Sequence, residues 1–204
     1  MIAIIDYKAG NLRSVEKAIL SLGHDVCVTD DAKTILSCEK VILPGVGSFS
    51  DAMNSIKTLG LDSVIRETIY KGTPFLGICL GMQLMYEESE EGSGKGFGIL
   101  KGKVKRFPQL PDLKIPQIGW NNLNVLKKSP ILDGISENPF VYFVHSYYVE
   151  AEDLSTVTAT VDYGVTPHVL VEKDNLFLAQ FHPEKSGKTG LKMLDNFAKL
   201  QVII

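Results

Sequence analysis

Cys79 stands between two glycines in Gly77-Ile78-Cys79-Leu80-Gly81, where an apolar strand pattern, "PFLGI", gives way to a helical one, "LGMQLM". This is the form Gly-x-nucleophile-x-Gly, a sharp strand-to-helix elbow. Such a turn strains the nucleophile's backbone and brings neighbouring chain too close for side chains two positions before and after. A helix start also offers unpaired backbone N–H groups and the positive end of its dipole. Both favour a thiolate and can receive an oxyanion. The plainer account of the same residues is a buried cysteine beside glycines that serve only tight strand–helix packing.

A cysteine that performs acyl transfer needs a base, and the base needs a carboxylate to orient it. "AQFHPEKSG" supplies both, as His182 and Glu184, at the end of the last strand pattern, with Pro183 stiffening the spacing. A lone histidine in a strand reads as structural. One followed two positions on by a carboxylate, in a chain with a cysteine elbow, reads as catalytic. The third element is Pro44-Gly45-Val46-Gly47, which follows a buried strand. Its glycines permit a backbone turn that can aim N–H groups at a substrate oxygen.

These segments can act together only if the fold brings them to one place. The first half alternates strands and helices. Ile2 to Ile5 is an apolar strand, and Asn11 caps a helix bearing Leu12, Val15, Ile19 and Leu22, stopped by Gly23. "DVCVTD" and "KVILP" are strands, and helical patterns run over 49–58 and 62–71. Near-continuous apolar strands alternating with helices predict a parallel sheet covered on both faces, and such sheets bind ligands at their carboxyl ends. From about residue 97 the pattern is strand after strand: "FGILKGKVKRF", "IPQIGWNNLNVL", "FVYFVHSYYVE", "STVTATVDYG" and "HVLVEKDNLFLAQF". The last reads as a hairpin turning at Asp174-Asn175. A final helix over 188–200 carries Leu191, Leu194, Phe197, Ala198 and Leu200 on one face. The expected class is α/β, a central mostly parallel sheet with an antiparallel extension, as a single domain over 1–204.

The totals narrow the function. With 204 residues, 45% hydrophobic and 22% charged, the chain has the balance of an ordinary soluble domain with a real core. A net charge of -3 disfavours a nucleic-acid partner. Three cysteines without paired spacing argue against a disulfide framework and for a reducing, cytoplasmic setting. The N-terminal apolar stretch is too short for a signal peptide, and no run approaches the roughly 18 apolar residues that span a bilayer, so no membrane role is expected.

Several other motifs fall away. "GSGKGFG" at 92–98 follows an acidic helix end and leads into strands, so it reads as a flexible connection, not a phosphate loop. "SGKTG" at 186–190 lacks the required earlier glycine, whose place is taken by His182. Lys101, Lys103 and Lys105 alternate along one strand as a solvated face. Cys27 and Cys38 read as small buried hydrophobes. No Cys or His spacing suits a metal.

In this order, P-G-V-G, G-I-C-L-G-M-Q and H-P-E resemble, over nearly the whole chain, the class I glutamine amidotransferases. The resemblance implies a flavodoxin-like fold and a Cys-His-Glu triad that hydrolyses glutamine to glutamate and ammonia. "DYKAGNLRSV", "QIGWN", "FVHSYY" and "HPEKSG" narrow it to the branch serving histidine biosynthesis. Those are glutaminase subunits that form a heterodimer with a (β/α)8-barrel cyclase. Cys79 would then attack the amide, His182 would move the proton and Glu184 would orient His182. The N–H groups of Val46 (or Gly47) and Leu80 would form the oxyanion hole. Gln83 and the stretch His145-Ser146-Tyr147 would hold the glutamine backbone, with Glu91 assisting. Asn11, Trp120, Tyr142 and Lys185 would face the cyclase. No metal or organic cofactor is implied. Two other readings stay open: another synthase's glutaminase, such as that of pyridoxal phosphate synthase, and a cysteine hydrolase of the same fold that does not use glutamine. A binding module that has lost its chemistry should also have lost one of the three triad residues.

Overall fold

A computed structural model describes residues 1–8, 11–92, 94–111 and 113–201. The first half runs β1 (Ile2–Ile5), α1 (Leu12–Ser21), β2 (Val26–Thr29), α2 (Ala32–Ser37), β3 (Lys40–Gly45), α3 (Phe49–Thr58), α4 (Leu61–Tyr70), β4 (Phe75–Cys79) and α5 (Leu80–Gln83). The second half runs β5 (Glu88–Ser89), β6 (Gly102–Arg106), β7 (Gln117–Asn122), β8 (Asn124–Val125), β9 (Phe140–His145), β10 (Tyr147–Ala151), β11 (Val157–Thr160), β12 (His168–Lys173), β13 (Leu176–Ala179) and α6 (Gly187–Ala198). The large sheet is ordered β2-β1-β3-β4-β13-β12-β10-β6-β5, with β11 and β8 attached through β12, and β7 and β9 form a separate pair. The five strands from β2 to β13 are mutually parallel, and the antiparallel part begins at β12. The expected class is the one observed.

The apolar strand runs are explained by what covers them. In β1, Ala3 and Ile5 pack into a core with Ile35 of α2, Ile56 of α3 and Val64 of α4. Ile2 and Ile4 point the other way, into a core with Ile19 of α1 and Phe197 of α6. Val41 and Leu43 of β3 join the first core and Ile42 the second. Successive side chains face opposite sides of a strand, so a sheet buried on both faces must be apolar at every position. No helix among the described residues is long and apolar enough to cross a membrane.

Four local features differ from the sequence reading. Helix α2 is additional; Asp31 caps it, accepting from the Thr34 N–H at 2.8 Å. With six residues and one buried side chain, Ile35, it is too short to show a helical period. The helix after Cys79 is a single turn. The carbonyls a longer helix would use are taken by the following loop: Phe97 N–H donates to Leu84 at 2.8 Å, and Ile99 N–H to Met85 at 2.9 Å. "GSGKGFG" is consequently a packed clasp, not a flexible link, although Ser93 lies outside the described residues. A side chain on Gly96 would fall on the Leu84 and Tyr86 carbonyls. Lastly, "FVYFVHSYYVE" is two strands that part at Ser146, β9 pairing with β7 and β10 with β6 and β12. An apolar run shows that a strand is buried and leaves its neighbour unspecified.

Candidate active site

Strand register assembles the site. In the parallel sheet Gly45 of β3 lies opposite Cys79 of β4, and on the other side Ala179 of β13 lies opposite Ile78. The three segments singled out in the sequence therefore leave the sheet side by side at its carboxyl edge. They are adjacent in space because the last strand of the chain pairs with the fourth.

The elbow has the strain its glycines predict. Cys79 adopts φ 54° and ψ -109°, left-handed backbone in a non-glycine residue, which costs on the order of 1–3 kcal/mol. A side chain on Gly81 would collide with the Leu43 carbonyl oxygen, and one on Gly77 would lie 2.8 Å from the Gly81 oxygen. Gly45 is equally confined, with the Tyr7 hydroxyl 2.7 Å from where its Cβ would be. Beyond it Gly47, at φ +97°, turns the chain into α3, which Ser48 caps. The one-turn helix after Cys79 makes a weaker dipole than the sequence implied, so local N–H groups must do more of the electrostatic work.

His182 is 2% exposed, and its Nδ1 lies 2.8 Å from Glu184 Oε1, itself buried. The backbone around it is pinned. His182 N–H donates to the Tyr142 carbonyl at 3.0 Å, and the buried Ser186 hydroxyl donates to the His182 carbonyl at 2.7 Å while accepting the Tyr142 N–H. Pro183 starts a 3₁₀ turn that presents Glu184, and Gly190 of α6 packs so closely that a side chain there would strike the Pro183 carbonyl. Nε2, the other ring nitrogen, has no hydrogen-bond partner among the described residues. Burial by itself lowers the imidazole's proton affinity. The Cys79 sulfur and the Glu184 carboxylate outweigh it and push the pKa up to about 9. Near neutrality the His182 ring is accordingly protonated.

Cys79, Leu80 and His182 line a cavity of about 410 Å³, within the usual range for small-molecule sites of about 300–1,000 Å³. Val46, Gly47, Gln83 and Glu91 line it too, as do His145, Ser146, Tyr147 and Lys185. Glu184 sits behind His182. Gln83 and His145 are committed internally. Gln83 Nε2 donates to the Tyr147 carbonyl at 3.0 Å and to Gln180 Oε1 at 2.9 Å. His145 Nδ1 lies 2.8 Å from the same carbonyl and its Nε2 3.0 Å from the Gln117 amide. Burial, with His182 nearby, lowers the His145 pKa to about 4, so this ring is neutral. Glu91 accepts the Phe49 N–H at 2.9 Å and ties its loop to the start of α3.

Of the residues predicted to face a partner, Trp120, Tyr142 and Asn11 lie off the cavity and Lys185 is on its wall. Trp120 is 48% exposed, stacked on Phe140 with centroids 5.8 Å apart and edge-on to Tyr142 at 6.1 Å. That exposure excludes a place for it in the sheet core. The Lys185 ammonium is 6.0 Å from the Tyr142 ring. Asn11 precedes α1, accepting from the Ser14 hydroxyl at 2.8 Å. Neither Cys27 nor Cys38 reaches the cavity; burial and the neighbouring Cys27 thiol push Cys38 up to about 11. The lysine stripe is a solvated face in which Lys103 pairs with Glu88 and Lys105 with Glu150.

Sequence reasoning missed Gln180, fully buried with Nε2 3.5 Å from the Cys79 sulfur. It also missed Tyr7, whose buried hydroxyl has no partner among the described residues. Burial and then Cys79 raise its pKa. Both lie in quoted stretches, "AQFHPEKSG" and "DYKAGNLRSV". Gln180 reaches the sulfur because β13 pairs with β4, and Tyr7 because its hydroxyl lies beneath Gly45, itself opposite Cys79; no local spacing carries either signal.

The family model "Glutamine amidotransferase class-I" matches residues 3–200. A curated relative from Caldanaerobacter subterraneus subsp. tengcongensis, "Imidazole glycerol phosphate synthase subunit HisH", is 50% identical over 201 residues, 98% of each chain. The relative of that name from Aquifex aeolicus is 52% identical over 198 residues, 96% of this chain and 95% of that one. Among solved structures, "Crystal structure of glutamine amidotransferase" superposes with a TM-score of 0.75 at 18% identity, covering 98% of this chain and 99% of that one. A structure of PurLQS from Thermotoga maritima gives 0.71 at 19%, over 96% of each chain. The two structures share the fold, and the family match with its near full-length relatives settles the classification: this chain belongs to the class-I glutamine amidotransferases.

Proposed function

We infer that the chain is the glutaminase subunit of imidazole glycerol phosphate synthase, working in the cytoplasm as a heterodimer with a cyclase subunit. Identity of about half over nearly the full length of relatives bearing that name supports the assignment. The observation that carries the chemistry is the meeting of Cys79, on its strained elbow, with a His182–Glu184 pair on the adjacent strand end.

The Cys79 thiolate attacks the side-chain amide carbon of glutamine, and the oxyanion is received by the N–H groups of Val46 or Gly47 and of Leu80. His182, protonated at the outset, gives its proton to the departing nitrogen, and ammonia leaves a glutamyl thioester on Cys79. His182 then takes a proton from water as the water attacks, and glutamate departs. Glu184, on Nδ1, fixes the ring and supports the imidazolium throughout. Gln83, Glu91 and the His145-Ser146-Tyr147 stretch bound the space for the rest of the substrate. Ammonia passes to the (β/α)8-barrel cyclase, which makes imidazole glycerol phosphate and aminoimidazole carboxamide ribonucleotide. Trp120, Tyr142, Lys185 and Asn11 meet that partner.

The partner also switches the site. Val46 is 40% exposed and flanked by glycines, so its peptide can rotate toward or away from the oxyanion. One such donor is worth about 10²–10³ in rate. Glutamine turnover is measured for the chain alone, with the cyclase, and with cyclase plus its ribonucleotide substrate. Rates should rise along that series; equal rates contradict the switch, and no turnover in any of them contradicts the glutaminase.

A further inference from the structure

We propose that Gln180 is a positioning residue for the nucleophile, holding an amide donor against the Cys79 sulfur through a chain of side-chain amides anchored at the Tyr147 carbonyl. The inference rests on the reading of Cys79 as the nucleophile and adds a residue to it.

One end of the amide chain has a fixed polarity. The Tyr147 carbonyl can only accept, so the Gln83 atom 3.0 Å from it must be the amide nitrogen. That nitrogen's second hydrogen points to Gln180 at 2.9 Å, and the Gln180 atom receiving it must be the carbonyl oxygen. The other end of the Gln180 amide, 3.5 Å from the Cys79 sulfur, must then be its nitrogen. Each orientation follows from the one before, independently of any preference of the sulfur. Gln180 is 0% exposed and Gln83 4%, so water does not compete for these bonds. The Gln180 backbone is fixed as well, its N–H donating to the Val169 carbonyl at 2.9 Å.

Two consequences follow. An amide donor locked onto a sulfur favours the thiolate over the thiol, because only the anion is a strong acceptor. Gln83 has spent both N–H groups inward, so its carbonyl oxygen is what it can offer to a ligand, and a hydrogen-bond donor on the substrate fits there. Thiolate and substrate polarity are thereby set by one relay. The other ionisable groups around the sulfur are His182 with Glu184 behind it, Tyr7, His145 beside His182, and Glu91 and Lys185 on the cavity wall. Replacing Gln180 leaves all of them in place.

The test is the pH profile of Cys79 alkylation by iodoacetamide, read by peptide mass spectrometry on the full chain. The variants are Gln180→Glu, which turns the donor into an acceptor, and Gln180→Met, which removes it at similar volume. Both should move the profile to higher pH by about one to two units. Glutamine kcat/KM at neutral pH, measured with the cyclase, should fall roughly 10- to 100-fold. A merely structural role would lower melting temperature and leave the alkylation profile where it is, which would overturn the proposal. Should both variants fail to fold, the wild-type side-chain amide resonances of Gln180 decide. They should titrate with the alkylation midpoint and shift when Cys79 is alkylated; insensitivity to both overturns the relay. Alkylation needs no glutamine, so a shifted profile in a chain without amide turnover would sink the glutaminase reading and leave the relay standing.

Discussion

The carboxyl edge of β3, β4 and β13 and the outward face of β7 and β9 are built on opposite terms. At the edge Cys79, Gln83, His145, Gln180 and His182 are all buried, and Gly45, Gly77 and Gly81 are places where a single added methyl would collide. On the face Ile118 is 62% exposed, Trp120 48% and Phe140 50%, and aromatic rings stack on one another in water. Chemistry demands geometry fixed to fractions of an ångström before the substrate arrives, whereas docking leaves apolar surface for a partner to cover. The two regions are nonetheless one hydrogen bond apart. The Tyr142 peptide bonds to His182 through its carbonyl and to Ser186 through its N–H, so a partner seated on Tyr142 touches the backbone that holds the base.

The sharpest break comes from the edge. Cys79→Ser should abolish glutamine turnover, by about 10⁴-fold or more, while leaving cyclase binding intact. Cys27→Ala and Cys38→Ala should keep their turnover and lose only stability, as thermal unfolding against steady-state rates would show. Glu184→Gln keeps the shape and removes the charge on Nδ1. The matching change in serine-protease triads costs about 10⁴-fold; about 10- to 10³-fold is expected here, since a thiol ionises more readily than a hydroxyl. The pH–rate profile should change with it.

Proton linkage separates the two histidines of the edge. His145 has a depressed pKa of about 4 when folded, so the unfolded chain takes up its proton first as pH falls. Its contribution is present above about pH 6.5 and is lost toward pH 4, on the order of 3 kcal/mol. His182 has a raised pKa of about 9, so its contribution is present below about pH 6.5 and is lost as pH rises through 9. Stability should therefore peak near pH 6.5, and His145→Gln should flatten the acid limb alone; urea unfolding across pH reads both. The smallest effect belongs to the face. Trp120→Ala should weaken cyclase association by about 2 kcal/mol, roughly 30-fold in Kd, with little change in the subunit's own melting temperature. A large thermal loss with unchanged affinity would assign Trp120 to folding instead.

The sequence was most legible where one residue carries its own constraint. The elbow glycines, the His182–Glu184 spacing and four of the five parallel strands could be read because steric demand and two-sided burial are written locally. The fifth, β13, reads in sequence only as one arm of a hairpin, and its parallel pairing with β4 is set by contacts about a hundred residues away. Ser146 could not be read as a sheet switch, since "FVYFVHSYYVE" is rich in aromatic and β-branched residues on both sides of it. The one-turn α5 was obscured because its stop is a loop that arrives from residues 96–100 to take its carbonyls. Gln180 and Tyr7 were silent for a related reason. Their meaning comes from pairing between strands about a hundred residues apart for Gln180 and from burial beneath Gly45 for Tyr7.

The central claim is a covalent intermediate on Cys79, and acid-quenched intact-mass spectrometry tests it most directly. The chain is mixed with its cyclase and saturating glutamine, quenched during turnover, and digested to locate any adduct. One glutamyl group on the peptide bearing Cys79, absent in Cys79→Ser and accumulating in His182→Ala if attack still occurs there, is the predicted result. Turnover at full rate with no adduct on Cys79, or an adduct on Cys27 or Cys38, would contradict the account.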